Sequence, residues 1–173
     1  PAEDFLRVLD EEVTPHVDPA GVLVILSGGE VLVRDDLERI GSEIARRGYP
    51  WGMVTNGLAL TPERLHGLIR AGLRTISVSL DGFEREHNRI RRNPASFARA
   101  MDAVRHIVRE PELAFDVVTC VTEPLVPQLE AFRDRLVAEG VRHWRLFSIF
   151  PAGRAKGDGT LRLTDAGFRT LLD

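Results

Sequence analysis

Cysteine is almost absent from this chain, since Cys120 is the only one among 173 residues. One thiol cannot form an internal disulfide, and alone it cannot hold an iron–sulfur cluster. The sequence also lacks a secretory signal pattern. Together these absences predict a cytoplasmic protein.

Other functions are disfavoured by further absences. No apolar run approaches the ~20 residues of a membrane-spanning helix. The formal net charge is −3, so the chain has no basic excess for binding nucleic acid. It has no G-x-G-x-x-G fingerprint, no Walker lysine motif and no serine nucleophile elbow. The five histidines lack metal-ligand spacing, and most of them, His66 and His106 included, are interpreted as solvated or structural helix residues.

What the chain does contain is an alternation of apolar runs and amphipathic stretches. Several runs are continuously apolar, which is typical of strands buried on both faces. The predicted strands are Val22–Leu26, Gly52–Val54, Thr75–Leu80, Phe115–Val121 and Trp144–Ile149. The predicted helices carry apolar faces at Phe5, Leu6, Leu9 and Val13; at Leu37, Ile40 and Ile44; at Leu65, Leu68 and Ile69; at Phe97, Met101, Val104 and Val108; and at Leu129, Phe132 and Leu136, with a last helix from Thr164.

Helix boundary signals agree with this order. Thr61 and Pro62 form a cap followed by proline at the first helical position, and Gly48, Gly72 and Gly140 stand where helices should end. The strand spacing is close to the ~30 residues of a βαβ unit. The alternation predicts an α/β fold with a parallel sheet and right-handed crossovers. Periodicity does not choose between a barrel, a partial barrel and an open doubly wound sheet.

In parallel α/β folds, ligands bind at the carboxyl ends of the strands. The segments after the predicted strands are rich in glycine and small polar residues: Ser27-Gly28-Gly29-Glu30, Thr55-Asn56-Gly57, 77–82, 119–122 and 148–154. Each segment alone could be only a tight turn, a loop or a cap. The functional interpretation is that Gly28 and Gly29 expose backbone to a ligand, and that Glu30 adds a negative charge suited to an ammonium group.

In this order, the segments resemble motifs of the radical S-adenosylmethionine (SAM) superfamily. The matching segments are Ser27–Arg34 with "SGGEPLLR", Thr55-Asn56-Gly57 at the family's spacing, Ser79–Gly82 with "SLDG", His87–Arg91 and Ser96-Phe97 with "H-D-x-I-R-G … S-F", and Pro151–Ala155 with the "P-x-G-R-A" exit of members that carry a SPASM domain. The resemblance extends over roughly residues 1 to 160. It is nearest to SPASM-type members that modify peptides or act in heme and cofactor biosynthesis. Tyr49–Gly57 is also similar to an uncharacterised subgroup that occurs with a lipoprotein partner.

The resemblance implies a partial (βα)6 TIM-like barrel with parallel strands. It also implies a [4Fe–4S] cluster and reductive cleavage of SAM to a 5′-deoxyadenosyl radical, which abstracts a hydrogen atom from the substrate. The implied SAM-binding residues are Gly28, Gly29 and Glu30 at the amino group, Thr55 and Asn56 beside the ribose and sulfonium, Ser79 with Asp81 at the carboxylate or ribose, and Ile149 and Phe150 at the adenine. Arg91 is a candidate partner of the SAM carboxylate. The alternative is a surface arginine in a basic run.

The sequence departs from the family in several places. The family's first strand and its Cys-x3-Cys-x2-Cys loop are missing from a chain that starts at Pro1, and Cys120 is not expected to be a metal ligand. Val31 replaces the family's proline, and Arg92 stands where the family has glycine. We predict one domain over residues 1–173, from the first core helix through the last core strand into the start of the final helix. Any SPASM domain lies outside the chain, and the piece alone is expected to bind neither cofactor and to be inactive.

The parent protein is therefore expected to be a radical SAM enzyme that receives electrons from flavodoxin or ferredoxin. Its substrate is unidentified, with a peptide as one candidate. The alternative is a cluster-free half-barrel that binds a ligand or a protein. A lyase or hydrolase on a TIM barrel is disfavoured, because the rim shows no strongly spaced metal cluster or acid–base pair. A missing first strand would leave the edge beside Val22–Leu26 unpaired, which predicts self-association.

Overall fold

The computed structural model describes residues 2–149 and 159–172, which form a sheet flanked by helices. The strands are β1 (Val24–Leu26), β2 (Trp51–Thr55), β3 (Leu73–Ser79), β4 (Ala114–Val121) and β5 (Trp144–Ser148). The helices are α1 (Ala2–Val8), α2 (Leu37–Arg46), α3 (Pro62–Arg70), α4 (Glu84–Arg91), α5 (Ser96–Ile107), α6 (Leu129–Ala138) and α7 (Asp165–Leu172). A π-helical turn, Leu9–Val13, extends α1.

The sheet has its strands in chain order, β1-β2-β3-β4-β5, and every neighbouring pair is parallel. Right-handed crossovers that always step in the same direction place the connecting helices on one face of the sheet. This is the arrangement of a barrel wall, whereas a doubly wound sheet reverses direction and has helices on both faces. The predicted α/β class and the TIM-like partial barrel are confirmed.

The helix-covered face of the sheet contains the core. Trp51 is fully buried, and its indole N–H donates to the carbonyl oxygen of Ala71 at 3.0 Å. On β5, Trp144 packs edge-to-face against Phe132 of α6, with ring centroids 5.8 Å apart. Because side chains alternate along a strand, the neighbours of these tryptophans, Gly52 and Arg145, point to the opposite face.

That opposite face has no helix on it among the described residues, and we call it the open face. By alternation and register, its members are Ile25, Gly52, Val54, Thr75, Ser77, Ser79, Ala114, Asp116, Val118, Cys120, Arg145 and Phe147. The prediction that the apolar runs are buried on both sides is wrong for β1 and β5. Ile25 and Phe147 are 45% and 46% exposed, because their strands lie at the sheet edges and none of the helices within residues 2–149 and 159–172 covers the open face. With β1 at an edge, self-association stays a prediction that sedimentation velocity can check.

Most helix boundaries follow the sequence signals. The Thr61 hydroxyl oxygen accepts the N–H of Arg64 at 3.2 Å and caps α3. The glycines predicted at the ends of α2, α3 and α6 have φ values of 88°, 91° and 89°. Helix α4 was not predicted, because five of its eight residues are charged and its single fully buried side chain, His87, gives no apolar periodicity.

The close approach of α2 to Trp51 predicts that Gly41→Ala destabilises the chain. A Cβ at Gly41 would lie 2.2 Å from an indole ring carbon, whereas one at Gly67 in α3 would lie 3.6 Å from its nearest neighbour, the Glu38 carboxylate. Crowding costs more than the ~1 kcal/mol that alanine gains in a helix, so we expect a net loss of about 1 kcal/mol for Gly41→Ala. Gly67→Ala should instead gain about 0.5–1 kcal/mol. Urea unfolding of both variants checks these opposite signs.

The residue after α4, Arg92, has a left-handed backbone with a φ of 53°. This conformation explains why glycine suits the position, since a side chain there is strained. We expect Arg92→Gly to stabilise the chain by about 0.5 kcal/mol, because relief of strain exceeds the entropy cost of glycine. The same change at Arg99, an exposed position inside α5, should destabilise by about 1 kcal/mol. Thermal unfolding compares the two variants, and equal effects would contradict the backbone argument.

Candidate functional site

The loop after β1 presents bare backbone at the carboxyl end of the sheet. Gly28 and Gly29 are exposed, and a Cβ added to either would meet no atom within 4 Å. Gly28 has a φ of 140°, a conformation that L side chains rarely adopt. The loop therefore leaves amide and carbonyl groups accessible beside the carboxylate of Glu30.

Glu30 joins the exits of β1 and β2. Its Oε1 accepts the Thr55 hydroxyl at 2.6 Å and the backbone N–H of Leu32 at 3.1 Å. Its Oε2 accepts the backbone N–H of Asn56 at 2.7 Å. Since a carboxylate oxygen can accept two hydrogen bonds, Oε2 retains capacity for one more donor such as an ammonium group. The structure thus brings three of the sequence-predicted residues, Glu30, Thr55 and Asn56, into one hydrogen-bonded unit.

Asp81 forms a second unit, at the exits of β3 and β4. Its side chain is 1% exposed. One carboxylate oxygen accepts Nε of Arg91 at 2.7 Å, and the other accepts the backbone N–H of Cys120 at 3.0 Å. Asp81 is therefore directed into the protein, and it fixes the guanidinium of Arg91, which is 30% exposed. Arg91 does not fit the alternative of a freely solvated surface arginine.

His87 contacts the backbone of Asp81. Its Nδ1 accepts the backbone N–H of Asp81 at 2.9 Å, so the ring proton is on Nε2, which donates to the Ser96 hydroxyl oxygen at 3.0 Å. Burial lowers the pKa of His87 from 6.5 to about 4; the Asp81 carboxylate opposes this shift, and Arg91 adds to it. The imidazole is therefore neutral at pH 7. The expectation that most histidines are solvated is wrong for His87, which is fully buried.

The remaining predicted residues lie near these two units. Thr55 pairs with Val78 in the sheet, so the exit of β2 lies beside Ser79, the partly exposed last residue of β3. Ile149 follows β5 and is partly exposed. Phe150 and the segment 151–155 lie outside the described residues.

Cys120 is a partly exposed thiol on the open face near the rim. Burial raises its pKa, and the nearby Asp81 carboxylate raises it further, while Arg91 opposes the shift. A raised pKa favours the protonated thiol, which is a weak nucleophile.

Three contributors to the site were not singled out from the sequence: His87 as a buried acceptor, Ser96 as its partner, and Thr119. The Thr119 hydroxyl donates to the Leu80 carbonyl oxygen at 2.6 Å and accepts the indole N–H of Trp144 at 2.8 Å, which ties β3, β4 and β5 together. The available signal for His87 and Ser96 was their place in the H-x-x-I-R and S-F segments. For Thr119 it was a polar residue within a buried strand.

These residues fit SAM and do not fit an iron–sulfur cluster. Open glycine backbone, a carboxylate with spare acceptor capacity and a fixed guanidinium match the amino and carboxylate groups of an amino acid. A cluster needs several thiolates, and the chain has one cysteine. Within the described ranges, no group of three or more His, Cys, Asp or Glu side chains could hold a metal ion. In the same residues, no helix has the length and apolar character to cross a membrane.

Comparison with known proteins decides the family. A family model described as the radical SAM superfamily matches residues 3–127 of this chain. The chain belongs to the radical SAM superfamily. It is 32% identical to the AdoMet-dependent heme synthase of Methanosarcina barkeri over 155 residues. The alignment covers 87% of this chain and 42% of that protein. A GTP 3′,8-cyclase of Rhodococcus opacus is 47% identical over 94 residues, covering 50% of this chain and 26% of the relative.

Solved structures show the same fold as this radical SAM domain. The chain superposes on anSMEcpe with bound AdoMet with a TM-score of 0.78 and 16% identity, covering 99% of this chain and 48% of that one. It superposes on Streptococcus suis SuiB bound to precursor peptide SuiA with a TM-score of 0.77 and 13% identity. The superposition covers 99% of this chain and 38% of that one. The chain therefore spans less than half the length of these proteins.

Proposed function

We propose that this chain is the SAM-binding part of a radical SAM enzyme. One observation supports this most strongly: the Glu30 carboxylate bridges the exits of β1 and β2 while Gly28 and Gly29 remain open in front of it. This arrangement offers backbone carbonyls and a negative charge to an ammonium group. Cluster and SAM together supply reductive cleavage of SAM to a 5′-deoxyadenosyl radical, and the three cluster thiolates are not among these 173 residues.

In this proposal, each residue at the rim binds or orients one part of SAM. Gly28, Gly29 and Glu30 take the amino group, and Arg91 binds the carboxylate through guanidinium N–H groups that Asp81 leaves available. Ser79 adds a hydroxyl to the carboxylate or ribose. Asp81 acts by holding Arg91, since its own carboxylate is buried.

The rest of the rim completes the same site. Thr55 and Asn56 border the ribose and sulfonium, and Ile149 and Phe150 line the adenine. Thr55 ends β2 and Asn56 follows it, while Ile149 follows β5, which supports these roles.

For the parent protein we propose hydrogen abstraction from a substrate of the heme- and cofactor-biosynthesis class, which the heme synthase relatives favour. A peptide substrate is the second candidate, favoured by the SPASM-type structural neighbours. An electron from flavodoxin or ferredoxin and a cytoplasmic location accompany this chemistry, because a reducible cluster and its thiolates persist in a reducing compartment.

The test uses the protein encoded by the complete reading frame, reconstituted with iron, sulfide and a reductant. We expect 5′-deoxyadenosine from that protein and none from the 173-residue chain treated in the same way. Glu30→Gln and Arg91→Gln should each raise KM for SAM at least about tenfold, while Arg99→Gln on the exposed side of α5 should not. Absence of 5′-deoxyadenosine and of a Cys-x3-Cys-x2-Cys motif in the frame would favour the cluster-free binding module.

A further inference from the structure

Three neighbouring strands hold one guanidinium on the open face. Arg145 of β5 donates from Nε to the Asp116 carboxylate of β4, and from Nη2 to the Ser77 hydroxyl of β3 at 2.9 Å. Ser77 and Asp116 are paired in the β3–β4 register. The guanidinium carbon lies 5.7 Å from the ring centroid of Phe147, two residues along the same strand. The plane and position of this group are thus fixed from three directions.

Stability alone does not account for this arrangement. The Arg145 side chain is 53% exposed, and ion pairs at such positions contribute about 0–1 kcal/mol. A guanidinium has five N–H groups, and Asp116 and Ser77 use two of them among the described residues. The remaining N–H groups of Arg145 can donate to a planar anion, which arginine binds through two parallel hydrogen bonds.

The surroundings of Arg145 restrict what the anion is attached to. Phe147 is about half exposed two residues along β5, and the partly exposed Val118 of β4 pairs with Arg145 in the sheet register. An apolar surface with one fixed guanidinium, whose remaining N–H groups can donate, suits a largely apolar molecule that carries a carboxylate. Asp116 keeps the local charge balanced, so a phosphate-sized charge is not favoured over a single carboxylate.

We propose that Arg145 binds a carboxylate of the substrate on the open face, an inference that rests on the proposed function of the rim. Arg145 lies three residues before the end of β5 at Ser148, which is on the order of 10 Å at 3.3 Å per residue. The bound carboxylate is therefore an anchoring group, and the reacting carbon lies roughly 10 Å away, near the SAM site. A carboxyalkyl group of a tetrapyrrole and an acidic side chain of a peptide share this chemistry.

Binding of two probe pairs to the 173-residue chain tests the proposal without SAM or a cluster. One pair is protoporphyrin IX and its dimethyl ester; the other is an acidic hexapeptide and the same peptide with glutamine for glutamate. We expect the wild-type chain to prefer the acid of one pair by about tenfold, and Arg145→Gln to reduce that preference below about threefold. The pair that shows the preference identifies the source of the carboxylate.

Matched variants make the result specific. Arg133→Gln removes an arginine of similar exposure, paired with Asp134 on α6, and should leave the preference unchanged. Arg145→Lys keeps the charge without the planar fork, so it should retain part of the preference even if Arg145→Gln unfolds. An equal preference in wild type and Arg145→Gln, or none for either acid, overturns the proposal. The two proposals can fail separately. If Arg145→Gln loses the preference but the protein from the complete reading frame does not cleave SAM, the Arg145 site is supported and the proposed function of the rim is refuted.

Discussion

Replacing Asp81 with alanine is expected to lower the free energy of unfolding by about 3 kcal/mol, because it removes a buried carboxylate and leaves its two partners without an acceptor. The backbone N–H of Cys120 would lose its acceptor inside the protein, and Arg91 would lose the anion that holds its Nε. With the Asp81 side chain only 1% exposed, water cannot easily replace either interaction. Urea unfolding of the 173-residue chain at pH 7 measures the loss.

Two comparison variants separate the causes of that loss. Asp102→Ala also removes an aspartate paired with an arginine, but this side chain is 52% exposed, so the change should stay within about 0.5 kcal/mol. Asp81→Asn keeps an oxygen for the Cys120 N–H and removes the charge, so it should lower the free energy of unfolding by less than Asp81→Ala does. Equal stability of Asp81→Ala and Asp102→Ala would contradict the interpretation of Asp81 as the residue that fixes Arg91.

The fold was largely predictable, because the apolar runs of strands and the roughly 3.6-residue apolar period of helices are local properties of the sequence. The strands and most helices appear within a few residues of the positions indicated by the apolar runs and the caps at Thr61 and Gly72. Exposure of β1 and β5 was not predictable in this way. A continuous apolar run shows that both sides of a strand are apolar, but it does not show whether a second layer covers them.

The site was predictable in position and only partly in roles. Rim residues such as Glu30 and Asn56 follow from the rule that parallel strands bring their carboxyl ends together. The direction of the Asp81 carboxylate was not readable from strand alternation, because β3 ends at Ser79 and the alternation ends with it. Burial of His87 depends on how α4 packs against α5 and against the segment that follows β3, and this is a tertiary property that a charged helical sequence does not disclose.

His87 should make the stability of the chain depend on pH between 7 and 5. The pKa of its imidazole falls from the ordinary value of 6.5 to about 4 on folding, so below pH 6.5 the unfolded chain binds a proton that the folded chain does not. The neutral imidazole of His87 makes its full contribution to the free energy of unfolding above pH 6.5. This contribution is lost as the pH falls toward 4. Linkage then gives a loss of about 2 kcal/mol between pH 7 and pH 5. Urea unfolding at half-unit intervals of pH measures it.

Two variants assign this dependence to the buried imidazole. His87→Gln should be less stable than wild type at pH 7, because its amide cannot reproduce both ring hydrogen bonds, but its stability should change by about 2 kcal/mol less between pH 7 and pH 5. Ser96→Ala removes only the acceptor of the Nε2 proton. It should lower stability by about 1 kcal/mol at pH 7 while keeping the wild-type slope, since the imidazole remains buried. A wild-type slope in His87→Gln would show that other groups cause the pH dependence, and that His87 acts in the Asp81 unit through hydrogen bonding alone.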